Sequence, residues 1–183
     1  KFNFSHNGGT VEEPIDFPDL DAFAQDNFTK QLDDLKTVID WITTTKQFHA
    51  NADVQNVNLI GHSRGGGIVS IKAEEESKVK KVITWNGVSD FESRFPKGED
   101  LQKWKANEFY FVKNGRTQQQ MPHHIQFYND FMANKERFNI QRATSNLRKP
   151  LLIIHAKDDP TVNVSEAQKL HEWNKKSELF LLE

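Results

Sequence analysis

A serine between two glycines, in Gly61-His62-Ser63-Arg64-Gly65, is the part of this 183-residue chain best suited to covalent chemistry. It follows the apolar run Val57-Asn58-Leu59-Ile60 and opens onto a helical pattern from Gly66 to Glu75. A serine at such a strand-to-helix turn reads as a nucleophile elbow, in which a strained backbone holds the hydroxyl clear of the sheet. Gly61 and Gly65 are expected to leave room for the turn, because glycine has no Cβ to clash. A helix N-terminus offers N–H groups and the positive end of its dipole to a developing anion, which makes the Arg64 N–H the expected oxyanion donor. The competing reading is a Gly-rich turn holding a phosphate. It lacks its motifs: no G-x-x-x-x-G-K-[ST] occurs, and Gly65-Gly66-Gly67 do not make G-x-G-x-x-G.

A serine hydroxyl needs a histidine base, and the base needs a carboxylate to orient it. In doubly wound hydrolases the chain order is Ser, then Asp or Glu, then His. Downstream of Ser63 lies His155-Ala156-Lys157-Asp158-Asp159-Pro160-Thr161-Val162, directly after the apolar run Leu151-Leu152-Ile153-Ile154. This segment resembles the H-G-x-x-D-x-x-V loop of the α/β-hydrolase superfamily, with Ala156 in place of the usual glycine. Together with the elbow, the resemblance covers Phe2 to Glu183 and implies an acyl hydrolase of the esterase or dienelactone-hydrolase kind. It places the acid on Asp159, three residues before Val162, rather than on its neighbour Asp158. The other reading of Asp159 is a turn aspartate before Pro160. Asp90 is a second candidate, because some family members carry the acid after the preceding strand.

The resemblance also implies groups that these residues do not supply. The family's histidine follows the last strand, here Leu179 to Leu182, and is expected beyond Glu183. None of the seven histidines takes its place. His62 lies inside the elbow, His155 closes a buried strand and is expected to bond the acid loop, and His171 lies on a helix. His6, His49, His123 and His124 fall on loops or in an insertion. If Lys1-Phe2-Asn3-Phe4 is the family's fourth strand, the first three are absent, and with them the second oxyanion donor. The sequence is therefore expected to be a piece of a chain roughly one and a half times as long, since such a fold rarely fits under ~200 residues.

The elements that must position these groups follow from periodicity. Asn27 is expected to cap a long helix with Phe28, Leu32, Leu35, Val38, Ile39 and Ile42 at helical spacing, fading near Lys46. Ser5 to Asp26, with Pro14 and Pro18, reads as loop. Strands are expected at Val57 to Ile60, Val79 to Trp85, Leu151 to His155 and Leu179 to Leu182, and Ser165 as the cap of a helix reaching Lys176. Strands alternating with helices predict an α/β fold: a doubly wound, mostly parallel sheet with helices on both faces. Residues 1–183 read as one domain. Residues 86–148 interrupt the rhythm as a helical cap insertion, with helical pieces at Leu101 to Val112 and His123 to Asn134 around a polar loop, Asn114 to Pro122. Trp104, Phe109, Tyr110, Phe111, Phe127, Tyr128 and Phe131 of this insertion either line an acyl pocket or pack the cap. Arg94, Arg116 and Gln118 to Gln120 either bind a polar substrate group or are solvated.

Bulk properties narrow the classes. A net charge of -2 with interspersed signs points to neither nucleic acid nor an anionic membrane surface. No apolar run approaches the ~20 residues that span a bilayer. Cysteine is absent, so disulfides and thiol chemistry are excluded. This is compatible with the cytoplasm, the expected location, and with secreted bacterial enzymes; the chain starts at Lys1 rather than Met, which leaves an upstream signal open. The expected reaction is cleavage of a small acyl or ester substrate through a Ser63 acyl-enzyme, needing no cofactor or metal. Asp158 and Asp159 lack a second ligand cluster for a cation. A prolyl-oligopeptidase-like peptidase and a non-catalytic hydrolase-fold binding protein are the alternatives.

Overall fold

The computed structural model describes residues 2–183, which form two compact units. One comprises residues 2–35 and Phe95–Lys135, the other Lys36–Arg94 and Glu136–Glu183. Helix α2 (Phe28–Thr44) contributes residues to both.

The second unit holds the sheet. Its strands are β1 (Val57–His62), β2 (Val79–Trp85), β5 (Leu151–Ala156) and β6 (Glu178–Leu182), all parallel, in the order β1-β2-β5-β6. Apolar, mostly β-branched runs such as Leu151-Leu152-Ile153-Ile154 suit strands buried between others. The crossovers are α3 (Arg64–Glu75), α6 (Ile140–Asn146) and α7 (Val164–Trp173). Helix α3 packs on β1 and β2, and α7 on β5 and β6, with α6 against both helices. The core between them holds Leu59, Ile68, Ile71, Val82, Ile153, Ala167 and Leu170, all buried.

Helices α3 and α7 cover one set of the strand side chains. Side chains alternate across a strand, and the alternate set of this sheet stays open: Ile60 is 66% exposed, Trp85 51% and Phe180 57%. β1 lies at the sheet edge, and no strand among the described residues pairs with its far side.

The first unit is built on aromatic packing. Phe28, Phe95, Phe127 and Phe131 meet with centroid separations of 4.8 Å for Phe28–Phe127 and 5.0 Å for Phe95–Phe131, the tilted geometry such rings favour. Trp104 is buried beside them and donates Nε1–H to the His123 carbonyl at 2.9 Å. Phe109, Tyr110 and Phe111 are exposed instead.

Several local expectations need correction. Phe2 to Phe4 form no strand: the chain turns at Phe4, where Asn7 N–H donates to the Phe4 carbonyl at 2.9 Å, and the Ser5 N–H is taken by Asp34 at 2.7 Å. Lys1 lies outside the described residues. The 5–26 loop contains a short helix, α1 (Leu20–Ala24), capped by Asp19. In the insertion, α4 (Gly98–Asn107) stops early because Glu108 adopts a left-handed φ of 62°. The aromatic run after it becomes β3 (Phe109–Lys113), paired antiparallel with β4 (Gln120–His124). Only Gln126–Ala133 of the second helical piece is helix (α5). Helix α7 is capped by Asn163, which accepts the Ser165 N–H at 2.9 Å, so Ser165 lies inside it. The Asn27 cap is present, its Oδ1 accepting the Lys30 N–H at 2.8 Å.

Candidate active site

Ser63, the residue between β1 and α3, has φ 53° and ψ -122°. A side chain at positive φ is costly for any residue with a Cβ, so surrounding bonds must impose it. Ser63 N–H donates to the Trp85 carbonyl at 3.0 Å. The Ser63 carbonyl accepts from Gly66 N–H at 2.9 Å and Val88 N–H at 3.2 Å. These bonds clamp the elbow between the ends of β1 and β2. A serine at a helix N-terminus ordinarily bonds the first turn through its hydroxyl. Here the Ser63 side chain makes no capping bond and is half-exposed. Arg64 is the first residue of α3, which brings its N–H to the positive end of the helix dipole.

The glycines act differently from one another. A Cβ on Gly61 would lie 2.2 Å from the Gly65 carbonyl oxygen, so the turn requires glycine there. One on Gly65 would meet nothing within 4 Å, contrary to the expectation that both open the turn. Gly66 and Gly67 carry the tight packing instead: a Cβ on Gly66 would sit 2.6 Å from the Gly87 Cα, and one on Gly67 2.6 Å from Phe91 and Ile140.

Asp159 follows β5, at the same carboxyl edge of the sheet as Ser63 and two strand positions away. Its Oδ1 accepts Thr161 N–H at 2.7 Å and Val162 N–H at 2.8 Å. Its Oδ2 accepts a hydrogen bond from Asn86 Nδ2. The Val162 and Thr161 N–H groups hold its carboxyl below the ordinary carboxylate range, and Asn86 and His155 act in the same sense. Asp158 is exposed and shares none of these bonds. Asp90 is exposed too, its oxygens accepting Glu92 N–H at 3.0 Å and Ser93 N–H at 2.9 Å. Burial pushes Asp90 up, but the Ser93 and Glu92 donors outweigh it and its carboxyl is lowered.

The histidines are engaged elsewhere. His155 is fully buried, its Nε2 2.7 Å from the Val162 carbonyl oxygen, which fixes the proton on that nitrogen. It thus braces the acid loop, as expected. His62 is exposed beside the Trp85 ring, and His171 Nδ1 meets Ser177 Oγ at 2.8 Å. His123 and His124 lie in β4, and His6 and His49 on exposed turns. Glu166 of α7, not anticipated, ties the loop after β2 together by accepting Ser89 N–H at 2.7 Å and pairing with Arg94 at 2.5 Å. That pairing gives Arg94 a structural partner. Arg116 donates to the Ile15 carbonyl at 3.1 Å, and Gln119 to the Phe17 carbonyl at 3.0 Å, so both serve the loop of the first unit. Among the described residues no group of three His, Asp or Glu side chains could hold a metal ion, and no helix is long and apolar enough to cross a membrane.

A family model described as alpha/beta hydrolase fold matches residues 22–183. No match is found among curated proteins. Solved structures share the fold. The esterase domain of a Rhodothermus marinus protein has 21% identity and a TM-score of 0.56, covering 85% of this chain and 58% of that one. Est1E from Butyrivibrio proteoclasticus, with ferulic acid bound, has 17% identity and a TM-score of 0.65, covering 88% and 61%. A Paleococcus ferrophilus monoacylglycerol lipase has 13% identity and a TM-score of 0.62, covering 87% and 66%. The chain thus spans about three-fifths of the length of the first two.

Proposed function

The chain belongs to the alpha/beta hydrolase fold family, and from that premise we propose that it is a serine hydrolase cleaving a carboxylic ester or related acyl bond through an acyl-enzyme on Ser63. The observation that carries this reading is the Ser63 backbone, held at φ 53° with its hydroxyl left out of helix capping. Strain at a residue that glycine would occupy at lower cost is retained where the side chain is needed.

In the proposed reaction Ser63 Oγ attacks the carbonyl carbon while a histidine takes its proton. Asp159 orients that imidazole and stabilises its charge. Ser63 and Asp159 follow strands two positions apart, so their chains are separated by roughly 10 Å, a gap that an imidazole hydrogen-bonded at both ends fills. The Arg64 N–H donates to the oxyanion, a contribution of about 3–4 kcal/mol to the transition state. The histidine returns its proton to the leaving alcohol, and water then releases the acyl group by the reverse steps. This reading requires a histidine and a second oxyanion donor in addition to the residues named here. Residues 86–148 are assigned as the cap, and the substrate as a small acyl ester; the ferulic acid bound to the similar Est1E structure makes aromatic esters the first to try.

The test uses the protein as its gene encodes it. A fluorophosphonate probe should label Ser63, and Ser63→Ala should abolish labelling and lower short-chain p-nitrophenyl ester hydrolysis by at least about 10³-fold. No labelling of the wild type overturns the enzyme reading in favour of a binding protein. Turnover of peptide amides in preference to esters would make it a peptidase.

A further inference from the structure

We propose that Asn86 is a positioning residue of this reaction, holding the Asp159 carboxylate in the orientation that receives the imidazole. The inference rests on the serine hydrolase reading. Asn86 follows β2, the strand between those that carry Ser63 and Asp159. Its backbone sits at φ 45°, a left-handed conformation that asparagine tolerates better than most residues. Three bonds fix it on the acid side. Its N–H donates to the Ile154 carbonyl at 2.9 Å, its Oδ1 accepts the Ala156 N–H at 3.0 Å, and its Nδ2 donates to Asp159 Oδ2.

The same turn touches the nucleophile. The residue before Asn86 accepts the Ser63 N–H through the Trp85 carbonyl, and Val88, two residues after it, donates its N–H to the Ser63 carbonyl. One turn therefore meets Ser63 through its main chain and Asp159 through a side chain. The amide orientation is forced: Asp159 requires a donor and the Ala156 N–H an acceptor, and only asparagine offers both at that length.

Lone pairs explain the use. A carboxylate has about four acceptor sites. Thr161 and Val162 occupy Oδ1, and Asn86 one site of Oδ2. What remains is a single Oδ2 site with a fixed direction, which is what an orienting acid requires. Without Asn86 the carboxylate turns about its side-chain torsion and shares its density between two directions.

Asn86→Gly and Asn86→Asp separate this role from a structural one. Glycine accepts the left-handed backbone and removes the amide. Aspartate keeps the acceptor for Ala156 and places a second carboxylate beside Asp159. In the protein as its gene encodes it, with active sites counted by fluorophosphonate titration, Asn86→Gly should lower kcat about 10-fold or more per active site with KM within twofold. Such a loss is confined to the transition state. Asn86→Asp should move the acidic limb of the kcat/KM profile upward by about one pH unit, through added negative charge beside the imidazole. A merely structural role would lower the titrated fraction and Tm, and leave kcat per site and the profile in place; that result overturns the proposal. If the wild type is neither labelled nor active, the serine hydrolase reading fails on its own account. The carboxyl titration of Asp159, followed by NMR, then decides: it should move to higher pH in Asn86→Gly, and an unmoved titration overturns the role of Asn86.

Discussion

Ser63 keeps its backbone in a region that costs about 1–3 kcal/mol for a residue with a Cβ. Ser63→Gly should therefore raise stability by about 1 kcal/mol, read as a higher Tm, while removing the nucleophile. A Tm equal to or below that of the wild type would mean that the surrounding bonds relieve the strain. Asp159 has its own pH signature. Its folded pKa lies below the unfolded value of ~3.9. Its contribution to stability is thus complete above that unfolded value and is lost as pH falls through the folded one. Asp159→Asn should flatten this acid limb of a stability-against-pH curve, and it sets an amide donor against the Asn86 donor. An unchanged acid limb would show that other carboxylates produce it. At this scale, the elbow pattern pointed to Ser63, and the resemblance to a hydrolase acid loop pointed to Asp159, because both are local patterns. Asn86 carried no such mark. An Asn-Gly pair after a strand reads as an ordinary turn, and its partner lies 73 residues away.

The α3 elbow helix carries three glycines directly after Arg64 that look alike in sequence and differ in the fold. Gly66→Ala would push a Cβ against the Gly87 backbone, a contact that cannot yield without moving α3 from β2. Overpacking of this kind costs about 1–3 kcal/mol. Gly65→Ala meets open space and gains helix propensity, up to about 1 kcal/mol. Paired Tm measurements should therefore move in opposite directions, and equal shifts would refute the packing argument. The parallel strands were legible to within a residue or two, because apolar runs of that length with turn residues at each end have few other readings. The insertion was not. Phe109 to Val112 carries apolar residues that fit both a helix continuing from Leu101 and a strand, and the break falls at Glu108, a residue type that gives no warning of a left-handed turn. The β3–β4 pairing that decides the matter is itself non-local.

For the whole molecule, alternation of strands and helices predicted the layered fold, but not which layers these residues complete. One face of the sheet carries its helices, and the other presents Ile60, Trp85 and Phe180 to solvent. That open face has a spectroscopic consequence. Of the four tryptophans, Trp104 is 2% exposed, while Trp41 and Trp85 are each 51% exposed. With Trp41→Phe, Trp85 becomes the indole most open to acrylamide, and its emission should be red-shifted and readily quenched. Trp85 also accepts the Ser63 N–H through its main-chain carbonyl, so the residue that reports on this face is joined to the main chain of the proposed nucleophile. Whatever comes to rest on that face, in a longer chain or an assembly, should announce itself as a blue shift and a loss of quenching from a single indole ring.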